Sequence, residues 1–338
     1  MTKAQIDILV RQGAFPGQTA RPDLVETHIS WVILCEQLVF KIKKPVHYSF
    51  LDFSTLQKRK YYCERELELN KRLTENIYLD VQPVREIATG FCIGDGNGEI
   101  ADYAVRMRRV DGSRQMNLLL VDNKVTLADL QNLAKKIADF HKRADIIYRQ
   151  DLPAIRDEFN DLAKEKDFLG KGLNTNRHKI ICDAMAISDA FIQKHRALLA
   201  SRRQAGFFRD VHGDLHSRNI FLLPDPQPFD CIEFNDDYRQ IDVLNEIAFL
   251  CMDLEAFNRP DLADLFIRYY NLLFNAMKTP EDKQLFIYYK AYRANIRAKV
   301  NSLRARSADT KAEKERCLAE TDKYLALMDR YMKMLVVQ

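Results

Sequence analysis

Val211-His212-Gly213-Asp214-Leu215-His216-Ser217-Arg218-Asn219 runs directly into Ile220-Phe221-Leu222-Leu223. Within a few residues stand two histidines, a carboxylate, a guanidinium and an amide, followed by an apolar segment. A core segment does not carry so many polar groups, because each one buried without a partner costs about 1–3 kcal/mol. The pattern is that of a loop presenting Asp214 and Asn219 towards a shared point. There Asp214 can accept a proton from a substrate hydroxyl, and the Asn219 amide oxygen can take a divalent metal. The bland alternative is a buried loop whose aspartate only caps backbone amides. His212 and His216 invite a metal reading of their own, as H-x-D-x-H. No further His or Cys cluster supplies the remaining ligands. Structural roles are therefore expected, with His212 bonding the loop backbone and His216 lining the substrate side.

A chain of 338 residues predicts roughly two domains. An apolar share of 47% and a charged share of 30% describe an ordinary globular protein able to bury a full core. The net charge of +4 does not call for nucleic acid or an anionic membrane surface. No apolar run approaches the ~20 residues of a membrane span, and the polar start MTKAQIDILVRQ lacks the apolar core of a signal peptide. The seven cysteines are scattered, with no C-x-x-C pair, which fits free thiols in a reducing cytoplasm. A cytoplasmic protein is expected. The oligomeric state is not legible.

Residues 3–12 read as a short helix closed by Gly13 and the Pro16-Gly17 break. From Val25 to Val46 the texture is β, in the runs VETHI, WVIL and QLVFKIK. A helix follows over 54–73 with Ser54 or Thr55 as N-cap. A second β region runs from Val81 to Val110, and its Gly94-Asp95-Gly96-Asn97-Gly98 reads as a hairpin turn rather than a phosphate loop, since no helix follows it directly. Beyond Gly112 helical patterns take over, at 126–143, 154–168, 177–200, 243–256, 261–277, 281–305 and 309–335. Only 207–241 interrupts them with strand texture, at Phe207–Val211, Ile220–Leu223 and Phe229–Phe234, the last two joined by Pro224–Pro228 as a hairpin. The fold class expected is α+β and bilobal: a β-rich N-terminal lobe with one helix over 1–110, and a larger helical lobe over 111–338 carrying the polar loop. A cleft between two such lobes is a common place for a ligand.

A phosphoryl-transfer site needs a carboxylate for the nucleophile, metal ligands that bridge the phosphates, and a lysine on the phosphate oxygens. The chain supplies candidates in order. Lys41 lies in the strand Val39-Phe40-Lys41-Ile42-Lys43, with Lys43 on the same face. One of the two would be active and the other solvated, and Lys41 is preferred for its apolar flanks. Glu66, in the helix Arg65-Glu66-Leu67-Glu68-Leu69, can hold that lysine, although Glu64 and Glu68 lie close by. Asp214 and Asn219 form the loop pair, and Glu233 ends the second hairpin strand in Cys231-Ile232-Glu233-Phe234.

With these residues in view the chain resembles the aminoglycoside phosphotransferase family, a branch of the protein-kinase-like fold whose loop choline, homoserine and fructosamine kinases share. The likeness runs from about Val25 to Glu255. It implies a kinase that uses ATP and Mg2+ to phosphorylate a hydroxyl of an unidentified small molecule. By resemblance Asp214 takes the catalytic-base position and Asn219 and Glu233 the metal positions. Lys41 takes the nucleotide-phosphate position, with Glu66 its partner. Met107–Val110 would be the hinge that receives adenine through backbone groups. Asp242 and Glu246 match the family's two structural carboxylates.

Three departures stand out. Glu233 replaces an aspartate, which leaves Asp236 and Asp230 as competing metal ligands. In a regular strand Asp230 would face away from Glu233 and be the poorer of them. Glu246 likewise replaces an aspartate. The loop near Thr27–Val32 holds no glycine, so phosphate cradling would fall to a Ser30-Trp31 turn. The glycine-free loop and Glu233 favour a second class, a kinase-like protein that holds nucleotide with little turnover. A third class is a metal-dependent hydrolase built on His212, Asp214 and His216. Finally, Lys290, Arg293, Arg297 and Arg304 stripe the helix 281–305. That stripe is either a solvated basic face or a wall that attracts an anionic substrate, while Asp253 and Glu255 pull the other way.

Overall fold

The computed structural model describes residues 1–16, 21–48, 50–148, 155–173 and 175–336. Gly17 of the expected Pro16-Gly17 break, and residue 154 at the head of the expected 154–168 helix, lie outside these. The chain forms two compact units, Met1–Leu119 with Asn219–Tyr238, and Leu120–Arg218 with Arg239–Gln338.

The first unit is built on a six-stranded antiparallel sheet. Its strands are β1 (Asp23–Glu26), β2 (Ser30–Leu34), β3 (Leu38–Lys43), β4 (Tyr78–Ile87), β5 (Gly90–Ile93) and β6 (Glu99–Arg108), in the order β1-β2-β3-β6-β4-β5. Side chains alternate along β3, so successive residues serve opposite faces. Phe40 and Ile42 join Ile33 and Val84 on one face, beneath helix α1 (Lys3–Gln12) and its Ile6, Leu9 and Val10. On the other face Val39, Val105 and Met107 meet Cys63 and Leu67 of α2 (Leu56–Asn70). Thr55 caps α2 by accepting from Lys58 N, 3.2 Å away. Its inner stripe is Arg59, Cys63, Glu66 and Leu69, at helical spacing, and Arg59 Nε donates to Asp102 of β6 at 2.9 Å. Lys41 and Lys43, of the Val39 parity, thus point to the side where α2 lies.

Two expectations change here. Gly94–Gly98 does not close a hairpin, because β5 and β6 do not pair with each other but flank β4 on opposite edges. The ten-residue β4 has room for both neighbours. Gly98 is nonetheless needed, since a Cβ there would meet the Glu86 carbonyl oxygen at 2.1 Å. Nor is Phe229–Phe234 a strand. Ile220–Phe221 pairs instead with Gln227–Pro228. Asp230 adopts a left-handed φ of 63°, which ends β geometry there. The backbone donors beside it go elsewhere: Phe229 N to Asn219 O, Asp230 N to Tyr78 Oη and Cys231 N to Asn70 Oδ1.

The second unit is mainly helical. Its principal helices are α3 (Leu127–Arg143), α4 (Thr175–Lys194), α5 (Val243–Ala256), α6 (Pro260–Leu273), α7 (Pro280–Arg306) and α8 (Lys311–Val336). The expected 154–168 helix is broken into Ile155–Asn160, a 3-10 turn and Lys166–Gly172, and the expected 177–200 helix into α4 and Arg196–Gln204. Every residue of α5 from Val243 to Leu254 is buried, as suits a central helix that is apolar nearly all round. Phe208–Asp210 pairs with Gln240–Asp242 at its N-terminus, a strand that had no sequence signal of its own. Among the described residues no helix is long and apolar enough to cross a membrane.

Candidate active site

In the first unit the two lysines of β3 meet the one buried acid of α2. Lys41 Nζ lies 2.8 Å from Glu66 Oε1 and 2.6 Å from Asp230 Oδ1. Lys43 Nζ lies 2.7 Å from Glu66 Oε2 and also bonds Glu233 Oε1. The result is an alternating row, Asp230–Lys41–Glu66–Lys43–Glu233, in which each charge has an opposite neighbour. Such alternation is what makes burial tolerable, since an isolated buried charge costs several kcal/mol. The Lys43 side chain is completely buried and that of Lys41 is 12% exposed. Neither lysine is therefore the solvated one expected. Side chains two apart on a strand face the same acid, and Glu66 has two oxygens to offer.

Electrostatics follow the row. Burial works to raise the Glu66 carboxyl, but the ammonium groups of Lys41 and Lys43 outweigh it and hold it down at about 2. Burial also opposes charge on Lys41, yet Asp230, Glu66 and Glu233 lift it well above the ordinary lysine range. Glu233 is pushed the other way from Glu66: burial and the neighbouring Glu66 raise it, and Lys43 offsets only part of that.

The remaining candidates of this unit are more loosely placed. Asn219 is buried, and its carbonyl accepts from Phe229 N at 2.9 Å. Ser30 opens β2, and the turn before it is set by Thr27, whose Oγ1 accepts from Ser30 N at 2.9 Å. The turn thus lies at Thr27–Ser30, not Ser30-Trp31. Among the described residues the buried Ser30 hydroxyl has no hydrogen-bond partner. Met107 lies near the end of β6, paired with Val39 on one side and Tyr78 on the other. Beyond it, Arg108 N donates to Ile77 O and Arg109 N to Gln37 O, so those two hinge amides are already engaged.

In the second unit the polar loop is braced by carboxylates seven residues apart on α5. Glu246 Oε1 accepts from His212 N at 2.6 Å and Gly213 N at 2.8 Å, while its other oxygen meets His141 Nε2 at 2.6 Å. Asp253 Oδ2 accepts from Ser217 N at 2.9 Å and from its hydroxyl at 2.5 Å. Arg293 of α7 donates to the Gly213 carbonyl at 3.0 Å, and Gly213 itself holds a φ of +86° that favours glycine. Each histidine of the loop accepts a backbone amide through Nδ1, His212 from Asp214 and His216 from Arg218, both at 3.2 Å. These bonds make them supports of the loop. His216 Nε2 is 3.4 Å from Asp214 Oδ2.

Between the braces, Asp214 is the residue left open. Its side chain is 36% exposed, whereas His212, Gly213, Leu215, His216 and Ser217 are buried. Partial burial pushes its carboxyl up, but His216, Arg297 and His212 hold it below the usual carboxylate range. An ionised carboxylate that is partly exposed can accept a hydrogen bond from a hydroxyl and take its proton. Glu246 stands as the sequence suggested. The weight on Asp253, His141 and Arg293 was not legible, because each acts through a contact distant in the chain. Asp253 is committed to Ser217 and is not available to draw in a cationic substrate.

The oxygen donors of the first unit suit a hard cation. Magnesium commonly takes one or two carboxylates together with substrate phosphates and waters. Asn219 and Glu233 offer an amide and a carboxylate oxygen of that kind, and the Lys43 ammonium now occupies the charge position at Glu233. Among the described residues no three His, Cys, Asp or Glu side chains gather to hold a metal ion.

The model of the phosphotransferase enzyme family matches residues 55–281. Uncharacterised proteins of Mycobacterium tuberculosis and Mycobacterium bovis are 32% identical over 290 residues, 83% of this chain and 55% of theirs. The chain thus spans about half the length of the curated relatives it matches. Among solved structures, an AMP-bound spectinomycin phosphotransferase is similar with a TM-score of 0.55, at 10% identity, over 96% of this chain and 97% of that one. An ethanolamine kinase of Plasmodium vivax is similar with a TM-score of 0.50, at 11% identity, over 93% of this chain and 83% of that one. At such identities the likeness is one of fold.

Proposed function

Because the chain belongs to the phosphotransferase enzyme family, we propose that it is a kinase that uses ATP and magnesium to phosphorylate a hydroxyl of a small molecule. The observation that supports this most is the state of Asp214: an ionised, partly open carboxylate on a loop otherwise bonded down on both sides. In the proposed reaction the acceptor hydroxyl oxygen attacks the γ-phosphorus of ATP. The bond from that phosphorus to the β–γ bridging oxygen breaks, ADP departs, and the hydroxyl proton passes to an Asp214 oxygen. Lys41, the more exposed lysine, steadies the α- and β-phosphates, and Glu66 holds it in place. Met107 and Val110 receive the adenine, and the unpartnered Ser30 hydroxyl is the polar group the glycine-free turn offers a phosphate. Asn219 and Glu233 would hold magnesium, which when bound neutralises charge on the phosphate oxygens. Lys43 keeps Glu233 ionised and oriented.

Replacing Asp214 by Asn tests this. ATP binding should persist while phosphoryl transfer falls by about 10²–10⁴-fold, the usual worth of a general base. Near-normal turnover in that variant would remove Asp214 from the role.

One observation favours a second reading, in which nucleotide is held with little turnover. Glu233 is already bonded to Lys43, and a metal must compete for it. Nucleotide binding that ignores magnesium concentration, with no loss of ATP against a broad panel of hydroxyl compounds, would establish that reading instead.

A further inference from the structure

The long cations of α7 are sorted into two kinds. Lys290 pairs with Glu255 at 2.7 Å, Lys299 with Asp161 at 2.8 Å and Arg306 with Glu165 at 2.9 Å, while Arg293 is spent on Asn245 Oδ1 and the Gly213 carbonyl. Arg297 and Arg304 break that pattern, having no acid in ion-pair contact among the described residues. Arg297 is only 8% exposed, lies against the Tyr324 ring at 5.3 Å, and leaves its Nε with no hydrogen-bond partner. Arg304, half-buried and two turns further along, falls on the same face of the helix.

Both lie by the catalytic loop. Arg293, one turn before Arg297, bonds Gly213, and Tyr324 beneath Arg297 places its hydroxyl 3.5 Å from Asp253, which holds Ser217. The charge of Asp214 acts on Arg297 and Arg304 alike, and Arg304 feels the like charges of Arg297 and Arg218. The ordinary role for such arginines is to balance nearby acids. Asp253 and Asp214 do act on Arg297 through their charge, but among the described residues neither forms an ion pair with it, and its Nε donor is left over. A buried guanidinium with an unused donor, clustered with two more of its charge, is instead suited to a fourth group that is negative.

We propose that Arg297, Arg304 and Arg218 form an anion subsite beside Asp214, so that the hydroxyl compound phosphorylated here carries a phosphate ester or carboxylate of its own. This rests on the kinase reading for its place in a reaction, but the subsite is defined by binding alone. The acceptor class is then opposite in charge to a polycationic aminoglycoside.

The test is equilibrium titration of the full chain, saturated with ADP and magnesium, by four probes. These are a hexose, its 6-phosphate, the corresponding sugar acid and the polycation kanamycin. The phosphate or the acid should bind and the other two should not, and comparison of those two anions tells which group the subsite takes. Arg297→Gln should weaken that binding roughly tenfold or more, as loss of a hydrogen bond to a charged group does. Arg297→Lys should restore part of it, and Lys299→Gln, on the same helix but paired with Asp161, should leave it unchanged. If Arg297→Gln fails to fold, Arg304→Gln carries the same expectation from a half-buried position. Equal binding of the neutral hexose, binding of kanamycin, or unchanged anion affinity in the arginine variants would overturn the subsite. Anion binding that is lost with Arg297 while ATP turnover is absent for every acceptor would support the subsite and count against the kinase.

Discussion

At Glu66 one carboxylate serves two lysines, and this fixes what its loss should do. Its carboxyl is held at about 2 in the folded chain, against an ordinary value near 4.5 once unfolded. The folded protein therefore binds that proton less readily than the unfolded one. Its contribution to stability is complete above pH 4.5 and is lost as pH falls towards 2. Urea unfolding across that window should show wild-type stability dropping more steeply than in Glu66→Gln. At neutral pH the same variant should be less stable by roughly 3–5 kcal/mol, the cost of breaking a buried pair from one side. A neutral-pH midpoint unchanged from wild type would show that the row of charges contributes no net stability. Lys43→Met and Lys41→Met should separate cleanly. Losing the fully buried lysine lowers stability, since Glu233 and Glu66 would face each other uncompensated. Losing the 12%-exposed one should chiefly weaken ATP affinity. A stability loss of equal size in both, with ATP affinity intact, would assign Lys41 to structure.

The brace of α5 is the element whose sequence said most and least. Its uninterrupted burial was foreshadowed by an apolar stretch. Of the two carboxylates that the resemblance marked as structural, Glu246 holds the loop, whereas Asp242 pairs with Arg202 and caps α5 by accepting from Leu244 N. What Glu246 holds, two amides of the loop and His141, depends on partners 34, 33 and 105 residues away. Glu246→Ala should release the Gly213 end of the loop and reduce kcat by up to ~10²-fold, the scale of effect expected when a catalytic group is misplaced by about an ångström. Measured KM for ATP should move little; a kcat equal to wild type would mean that Arg293 and Asp253 position the loop without Glu246. Strands β1 to β3 were legible because branched and aromatic residues follow one another there. Phe229–Phe234 carried the same texture and misled, since a left-handed Asp230 and side-chain acceptors for the neighbouring amides divert it from any ladder. Once that strand is gone, alternation no longer ranks Asp230 below Glu233. Each instead ends the row of charges at its own lysine.

For the molecule as a whole, the change from sheet texture to helical texture after Gly112 was visible, while the membership of Asn219–Tyr238 in the sheet-based unit was not. The loop His212–Asn219 was visible as a run of polar groups too dense for a core. The family followed from those residues, and the family model agrees over residues 55–281. The joint role of Lys41 and Lys43 was hidden, because nothing local in the strand tells that both reach one helix residue. The pairing of the α7 cations was hidden for a similar reason, since a basic stripe on a helix looks the same whether its cations are paired or not. Removal of magnesium by chelation should abolish transfer while leaving the fold intact, as judged by circular dichroism. Transfer that survives chelation would show that Asn219 and Glu233 hold no required ion.

Phosphoryl transfer through Asp214 can be addressed without knowing the acceptor. The purified chain is incubated with γ-labelled ATP, magnesium and a metabolite extract, in parallel with Asp214→Asn. A labelled small molecule that appears with the wild type and is reduced at least ~10²-fold with the variant is the predicted result. No labelled product with either protein, or equal labelling by both, would contradict it.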